Sequence, residues 1–315
     1  MRADVPGISP ILANRQYVRL EKLRIQGLPM HPSLAKHQNI QQKEHHELPS
    51  AKALAYRIRR EAAEFLLLYH SSNKKKSPKK SKPYSGEVHL STKLLQPEAL
   101  PPARTGNSSK REPEFWAGRS SRHAEKPAEE NPRWEEFENA LFHDRNKKEV
   151  MYTPDVLDAK EICNWDNELD DDDGKMGVWE MYHKLPFPCA KRRFTVLVVT
   201  TRVPVAELMY IGDPTPVAAF VTVKIPVEDV SGLPSGYVCG HYVSIEIVKR
   251  YAVDGIQWDM VTASNAAGSI PAVTQRMAIP GEIAKDVGMV CGWIMQERKK
   301  SAIDGNVGSG NQTVK

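Results

Sequence analysis

The 315-residue chain has only four cysteines, Cys163, Cys189, Cys239 and Cys291, widely separated and without a CxxC pair. That spacing suggests neither a disulfide framework nor a zinc site, and leaves reduced, mostly buried thiols as the expectation. Long apolar runs are also missing. No stretch reaches the roughly 18–20 consecutive apolar residues that a bilayer span requires, and Met1 to Pro10 lacks the apolar core of a secretory signal. The expectation is a soluble protein of the cytoplasm, with the nucleus left open. Catalytic signatures are absent too: there is no GxSxG, HExxH, GxxxxGK[ST] or glycine-rich dinucleotide fingerprint. The ten histidines do not cluster at metal-ligand spacing except His45 with His46, in a polar stretch. No metal and no cofactor are expected, and an enzyme is disfavoured. Aromatic residues make up only 7% and do not interleave with the main lysine run, which argues against nucleic acid as a stacked partner.

What is abundant is proline, 23 residues, and positive charge in the front of the chain. Up to Lys148 there are 28 Lys and Arg against 17 Asp and Glu, and beyond it 16 against 22. The basic excess therefore belongs to the attachments and not to the core. Its densest segment, Lys74 to Lys82 (KKKSPKKSK), combines like-charge repulsion with a proline and predicts a mobile loop. The run suits a solvated loop, a nuclear address or a contact with an anionic membrane. The organisation expected is an N-terminal extension over 1–48, partly ordered, a main domain over 49–300 with a disordered basic insertion at 71–84, and a disordered tail over 301–315.

Residues Ser50 to Tyr69 set Leu54, Ile58, Ala62, Phe65 and Tyr69 at helical intervals behind a Pro-Ser start signal. Arg133 to Asp144 predicts a second, short helix, capped by Asn131 ahead of Pro132. Strands are predicted at Glu87 to Leu95 and Glu114 to Ser120. From Val150 the pattern becomes β-branched and aromatic, with strands near 157–165, 178–185, 193–202, 218–227, 237–251 and 256–263. Loops such as GDPTP and SGLPSG are too short for crossover helices and favour an antiparallel sheet. Pro271 to Lys299 predicts a closing helix, interrupted or kinked at Pro280 and Gly281, whose apolar stripe must lie on the sheet.

This order, with WDMVTASNAAGSIP (Trp258 to Pro271) leading into the closing helix and PFPCAKRRF (Pro186 to Phe194) entering a strand, resembles the START lipid-transfer domain. HPSL (His31 to Leu34), EVHLSTKLL (Glu87 to Leu95), FWAGRSSRH (Phe115 to His123) and the WEEF helix resemble a fungal START-like family of unassigned function. The resemblance implies an α+β helix-grip (START/Bet v 1-like) fold, a curved antiparallel sheet around a long C-terminal helix. It also implies a tunnel for a lipid, sterol or other hydrophobic small molecule, for binding and intracellular transfer. A cyclase- or hydrolase-like enzyme on the same fold, with His241 or Asp259 as acid or base, and a cavity-less interaction protein docking through its basic arm are the alternatives.

Within that frame the candidate ligand-binding residues follow from alternation and helical spacing. Trp179, Met181 and His183 share one side of a strand, and His241 and Val243 one side of another, where His241 suits either a headgroup contact or a satisfied core histidine. Trp258 on the last strand and Ile283, Val287 and Cys291 on the closing helix are core or cavity wall, which in a grip are one layer. Arg276, near the start of that helix, is placed either to meet a phosphate or carboxylate headgroup or to face solvent.

Overall fold

The computed structural model describes residues 15–38, 48–71, 74–104, 112–124, 131–169, 174–186, 188–211, 214–253 and 255–308. Nine strands form one sheet: β1 Lys74–Ser81, β2 Tyr84–Leu95, β3 Glu114–His123, β4 Val156–Asn164, β5 Gly174–His183, β6 Lys191–Arg202, β7 Ala218–Pro226, β8 Tyr237–Tyr251 and β9 Gly255–Asn265. Their spatial order is β1-β2-β3-β9-β8-β7-β6-β5-β4. Neighbours run antiparallel, as the short loops predict. One parallel patch, Lys191↔Tyr237 to Phe194↔Gly240, forms where β7 has ended and β6 meets β8 directly. A side chain at Gly240 would sit 2.3 Å from the Phe194 ring, so this junction needs glycine.

Four principal helices accompany the sheet: α1 Ala51–Ser71, α2 Trp134–Leu141, α3 Arg145–Tyr152 and α4 Ala272–Gly308. Helix α1 is capped by Ser50, whose Oγ accepts from the Ala53 amide at 3.2 Å. Its stripe of Leu54, Ile58, Phe65 and Tyr69 is buried against the outer face of the sheet, on Leu197, Val199, Val221, Val223, Val243, Ile245 and Val261. Helices α2 and α4 cover the inner face, where Phe137, Ile283, Val287, Val290 and Ile294 pack with Val88, Leu90, Phe220, Val248 and Trp258. Coverage of both faces explains why FTVLVV in β6 reads as a continuous apolar run instead of an alternation. Each such aliphatic side chain contributes about 1.5–3 kcal/mol on burial.

Three expectations are corrected. Lys74 to Ser81 is not a mobile loop but the edge strand β1, paired along β2 from Lys74↔Thr92 to Ser81↔Tyr84. Like-charge repulsion does not prevent the pairing, because Lys76, Lys79 and Lys80 are exposed to water on an edge strand, Lys80 sits opposite Glu87, and Pro78 is accommodated in a bulge. Helix α4 continues through Pro280 and onward to Gly308, beyond the predicted end at Lys299. Helix α2 begins at Trp134 with the Arg133 amide donating to Glu136 at 2.7 Å, so Asn131 does not cap it. The N-terminal residues are also more integrated than an extension implies. The α1 carboxylate of Glu61 accepts the amides of Gln16, Tyr17 and Val18, and Leu23, Ile25, Leu28 and Leu34 enter the outer core.

Glycines on α4 allow the β1–β2 turn to lie directly on the helix. A Cβ at Gly288 would come within 2.2 Å of the Lys82 carbonyl and 2.6 Å of that of Ser81, both backbone atoms with no freedom to yield. At Gly281 the nearest atom is the flexible Lys79 Nζ, 3.5 Å away. We therefore predict that Gly288→Ala destabilises the protein by about 1–3 kcal/mol, with a melting temperature lower by several degrees. Gly281→Ala is expected to be neutral or slightly stabilising through helix propensity. Thermal melts of the two variants separate the cases, and equal behaviour would contradict the close-approach account.

Candidate functional site

Alternation along the strands puts charged residues on the inner face, in the middle of otherwise apolar sequences. Arg119 of β3, Lys224 of β7 and Glu246 of β8 point there. Facing them are Arg145, Glu149 and Tyr152 on α3 and Asp286 on α4. Arg145 Nη2 donates to Glu246 Oε1, Arg119 Nη2 lies 3.7 Å from Glu246 Oε2, and the Trp258 indole donates to that same oxygen at 3.1 Å. The Arg119 guanidinium stacks 3.8 Å from the centre of the Trp258 ring. Lys224 Nζ donates to Glu149.

Burial acts on every member of this cluster. It would raise the Glu246 carboxyl, but the Arg145 and Arg119 guanidiniums outweigh it and hold the group at about 2. Glu149 is lowered in the same manner, with Lys224 and Arg145 overcoming desolvation. Asp286 is pushed up to about 7 by burial, offset only in part by Arg119. Burial takes His183 down to about 4 and lifts the Tyr152 and Tyr242 hydroxyls well above their usual value. Three cations thus face two firmly ionised carboxylates and one carboxyl near half-protonation at neutral pH.

Two further observations distinguish this region from packed core. Arg119 Nε and Nη1, Arg145 Nε and Nη1, the Tyr152 hydroxyl and His183 Nε2 have no hydrogen-bond partner although they are buried. Each such group costs about 1–3 kcal/mol if left unpaired. In addition, Glu149, His183, Tyr242 and Asp286 keep accessible surface, even though desolvation is the leading influence on each of them.

The residues singled out from sequence fall in three places. Trp179 and Met181 pack with Phe194, Val196 and Val198 on the inner face, and His183 stands beside them, its ring 5.1 Å from Phe194 and bordering the charged cluster. Trp258 lies in the cluster itself. Ile283, Val287 and Cys291 are fully packed on the inner core, Val287 at 0% exposure. The Cys291 thiol, raised to about 12 by burial, sits 4.0 Å from His123 Nδ1, whose other nitrogen is 3.0 Å from the Ser121 hydroxyl. With His123 held near 3 and all three residues at or below 1% exposure, this Ser-His-Cys array is inert packing.

Val243 and His241 do not face the inner stripe of α4. They point to the outer face, because residues 239, 241, 243 and 245 alternate away from Ser244 and Glu246. Val243 belongs to the outer core, and His241 meets Arg276 in a separate groove of about 330 Å³ at the start of α4, with Ser264, Gln275 and Ile279. Sequence reasoning missed Arg119, Arg145, Glu149, Lys224, Glu246 and Asp286. The available signal was a charge inside a strand buried on both faces, as in VTVKIP and SIEIV.

The sheet, the closing helix and the enclosed inner face define a protein of the START-like helix-grip class. Solved structures agree on the fold. The human StAR-related lipid transfer protein 5 superposes with a TM-score of 0.52 at 12% identity, covering 78% of this chain and 99% of its own. Human STARD10 gives 0.50 at 11%, covering 82% and 86%. The chain belongs to the family described as "Protein of unknown function (DUF3074)", whose model matches residues 116–294, more than half of its length. No curated protein matches the sequence significantly. Among the described residues no helix is long and apolar enough to cross a membrane, and no group of three His, Cys, Asp or Glu side chains is arranged to hold a metal ion.

Asp286 gives a pH signature. Its ordinary value is 3.8 and its folded value about 7, so the native state holds the extra proton between those limits and loses stability as pH rises through them. Asp286→Asn should remove that loss, raising stability at pH 8 by roughly 1–3 kcal/mol relative to the parent, with the difference vanishing below about pH 4. Urea melts across pH 4–8 test this, and a gain independent of pH would contradict it.

Proposed function

We propose that this protein binds a hydrophobic molecule with an anionic or acceptor-bearing headgroup between its sheet and α4, and carries it as a binding or transfer protein. The observation that carries this reading is the surplus of buried donors on the inner face: Arg119, Arg145, Tyr152 and His183 all present unpaired polar atoms. They lie beside Glu149, His183, Tyr242 and Asp286, which keep accessible surface, and this supports room for a ligand between sheet and helix. A phosphate or carboxylate would pair with both guanidiniums as a charge-assisted acceptor, while Met260, Trp179 and Phe194 border the region as apolar wall. Asp286 and His183 adjust the local charge. Lysines of β1 offer a contact with an anionic membrane, where such a ligand would be exchanged, and the cytoplasm is the compartment proposed.

The test is native mass spectrometry of protein purified from its own host, followed by solvent extraction and identification of the released molecule. An amphipathic acid or phospholipid is expected. Protein that carries no apolar molecule, and takes up neither a fluorescent phospholipid nor a fluorescent sterol, would overturn the reading. Arg119→Met keeps the side-chain stem on Trp258 but removes the charge, and is expected to weaken uptake of a fluorescent phospholipid at least tenfold while the far-UV spectrum is unchanged. Uptake equal to that of the parent would place the headgroup elsewhere.

A further inference from the structure

We infer that the N-terminal turns of α4 and the helix-facing lysines of β1 form one surface that docks on an anionic bilayer. Three observations meet there. First, Val273, Met277 and Gly281 follow one another at four-residue intervals and so share a helix face, continued by Gly288 and Gly292. The lower part of that face is covered by the β1–β2 turn, with Ser81 and Lys82 on Gly288 and Pro83 on Gly292. The upper part is uncovered: Val273 is 65% and Met277 77% exposed.

Second, register places lysines alongside it. Lys76 pairs with Leu90 and Lys79 with Val88, and those partners pack on the inner face with α4, so Lys76 and Lys79 project to the helix side. Lys79 Nζ lies 3.5 Å from where a Cβ on Gly281 would be, at the foot of the bare apolar strip. The strand and the helix run in the same direction, since Lys79 meets Gly281 and Ser81 meets Gly288. Lys76 therefore flanks the turn that carries Met277.

Third, the charge balance favours one occupant. Lys76, Lys79, Lys80 and Lys82 are exposed; of the nearby carboxylates, Glu282 binds Lys285, and Glu87 lies opposite Lys80 in the strand register. Lysines on an edge strand also guard against edge pairing, but that role does not account for bare Val273 and Met277 beside them. Apolar side chains flanked by exposed lysines match the headgroup and acyl boundary of an anionic membrane. An extended acidic polypeptide fits less well, because Pro78 and the bulge interrupt the ladder it would join.

Flotation with vesicles of phosphatidylcholine alone, or with about one third phosphatidylserine, tests the surface at low and at physiological salt. Binding is expected only to the anionic vesicles, falling with salt, and reduced at least tenfold by the pair Lys76→Glu and Lys79→Glu. Val273→Ser with Met277→Ser should weaken it at both salt concentrations, and Met277→Trp should show a blue-shifted emission on anionic vesicles. Absence of binding to these vesicles, binding unaffected by the lysine reversals, or no emission shift would overturn the proposal, as would capture of polyglutamate without vesicle binding. The docking surface does not depend on the interior site. Arg119→Met, which alters the interior site alone, is expected to leave vesicle binding unchanged, so failure of one reading is distinguishable from failure of the other.

Discussion

A single carboxylate organises the inner face. Glu246 accepts from Arg145 on α3, faces Arg119 on β3 and takes the indole hydrogen of Trp258 on β9, so three separate elements converge on its two oxygens. Without it, two guanidiniums would stand together in a region where neither is solvated, and α3 would be held to the sheet by Glu149 on Lys224 and by the packing of Tyr152. Burial of ion pairs is a weak source of stability, since desolvation consumes most of the Coulomb gain. The arrangement is therefore better understood as fixing position than as supplying free energy. It holds Arg119 and Arg145 in set orientations with part of each fork unspent.

That design is possible because the centre of the opposite face of the sheet is apolar. Along β8, Val243, Ile245 and Ile247 face α1, while Ser244 and Glu246 face the interior. The same alternation in β7 sends Val221, Val223 and Ile225 outward and Thr222 and Lys224 inward. The sheet thus separates a mainly hydrophobic half, closed by α1 and the N-terminal residues and holding paired charges such as Arg193 with Glu180 and Lys249 with Asp259, from a half whose charges converge on Glu246. The outer core offsets what the inner cluster costs. Closure of the outer half depends in turn on Glu61, which receives three successive amides of the chain entering from Gln16.

Much of this was legible before any coordinates. Period-two alternation and short loops are local properties, and they located eight of the strands, while the apolar stripe of α4 set the layer order. What escaped had non-local causes. The strand Lys74–Ser81 is unreadable as a strand because its pairing comes from β2 and not from its own composition. The polar site was missed for a related reason: Lys224 and Glu246 were absorbed into apolar runs, and Arg145, Glu149 and Asp286 look like ordinary surface charges on their helices. Only the fold brings them face to face. His241, picked for its apolar neighbours, sits on the same strand as Glu246 but on its other side, a one-residue difference in alternation that decides which compartment a side chain enters.

Helix α4 is the element on which these compartments depend. Its inward stripe closes the inner core through Ile283, Val287 and Ile294, Asp286 on an adjacent flank reaches the charged cluster, and its glycine face receives the β1–β2 turn. The same 37-residue helix begins at the groove of His241 and Arg276 and leaves Val273 and Met277 bare. Its first turns are therefore held by fewer buried contacts than its middle, and they lie just after the Asn265–Gly268 turn that Arg192 holds through the Ala266 and Ala267 carbonyls. Opening between helix and sheet would cost least there, since local stability follows buried contact. The end of the helix that would open most easily is thus the one where the exposed Val273 and Met277 stand and where Lys79 of β1 approaches Gly281.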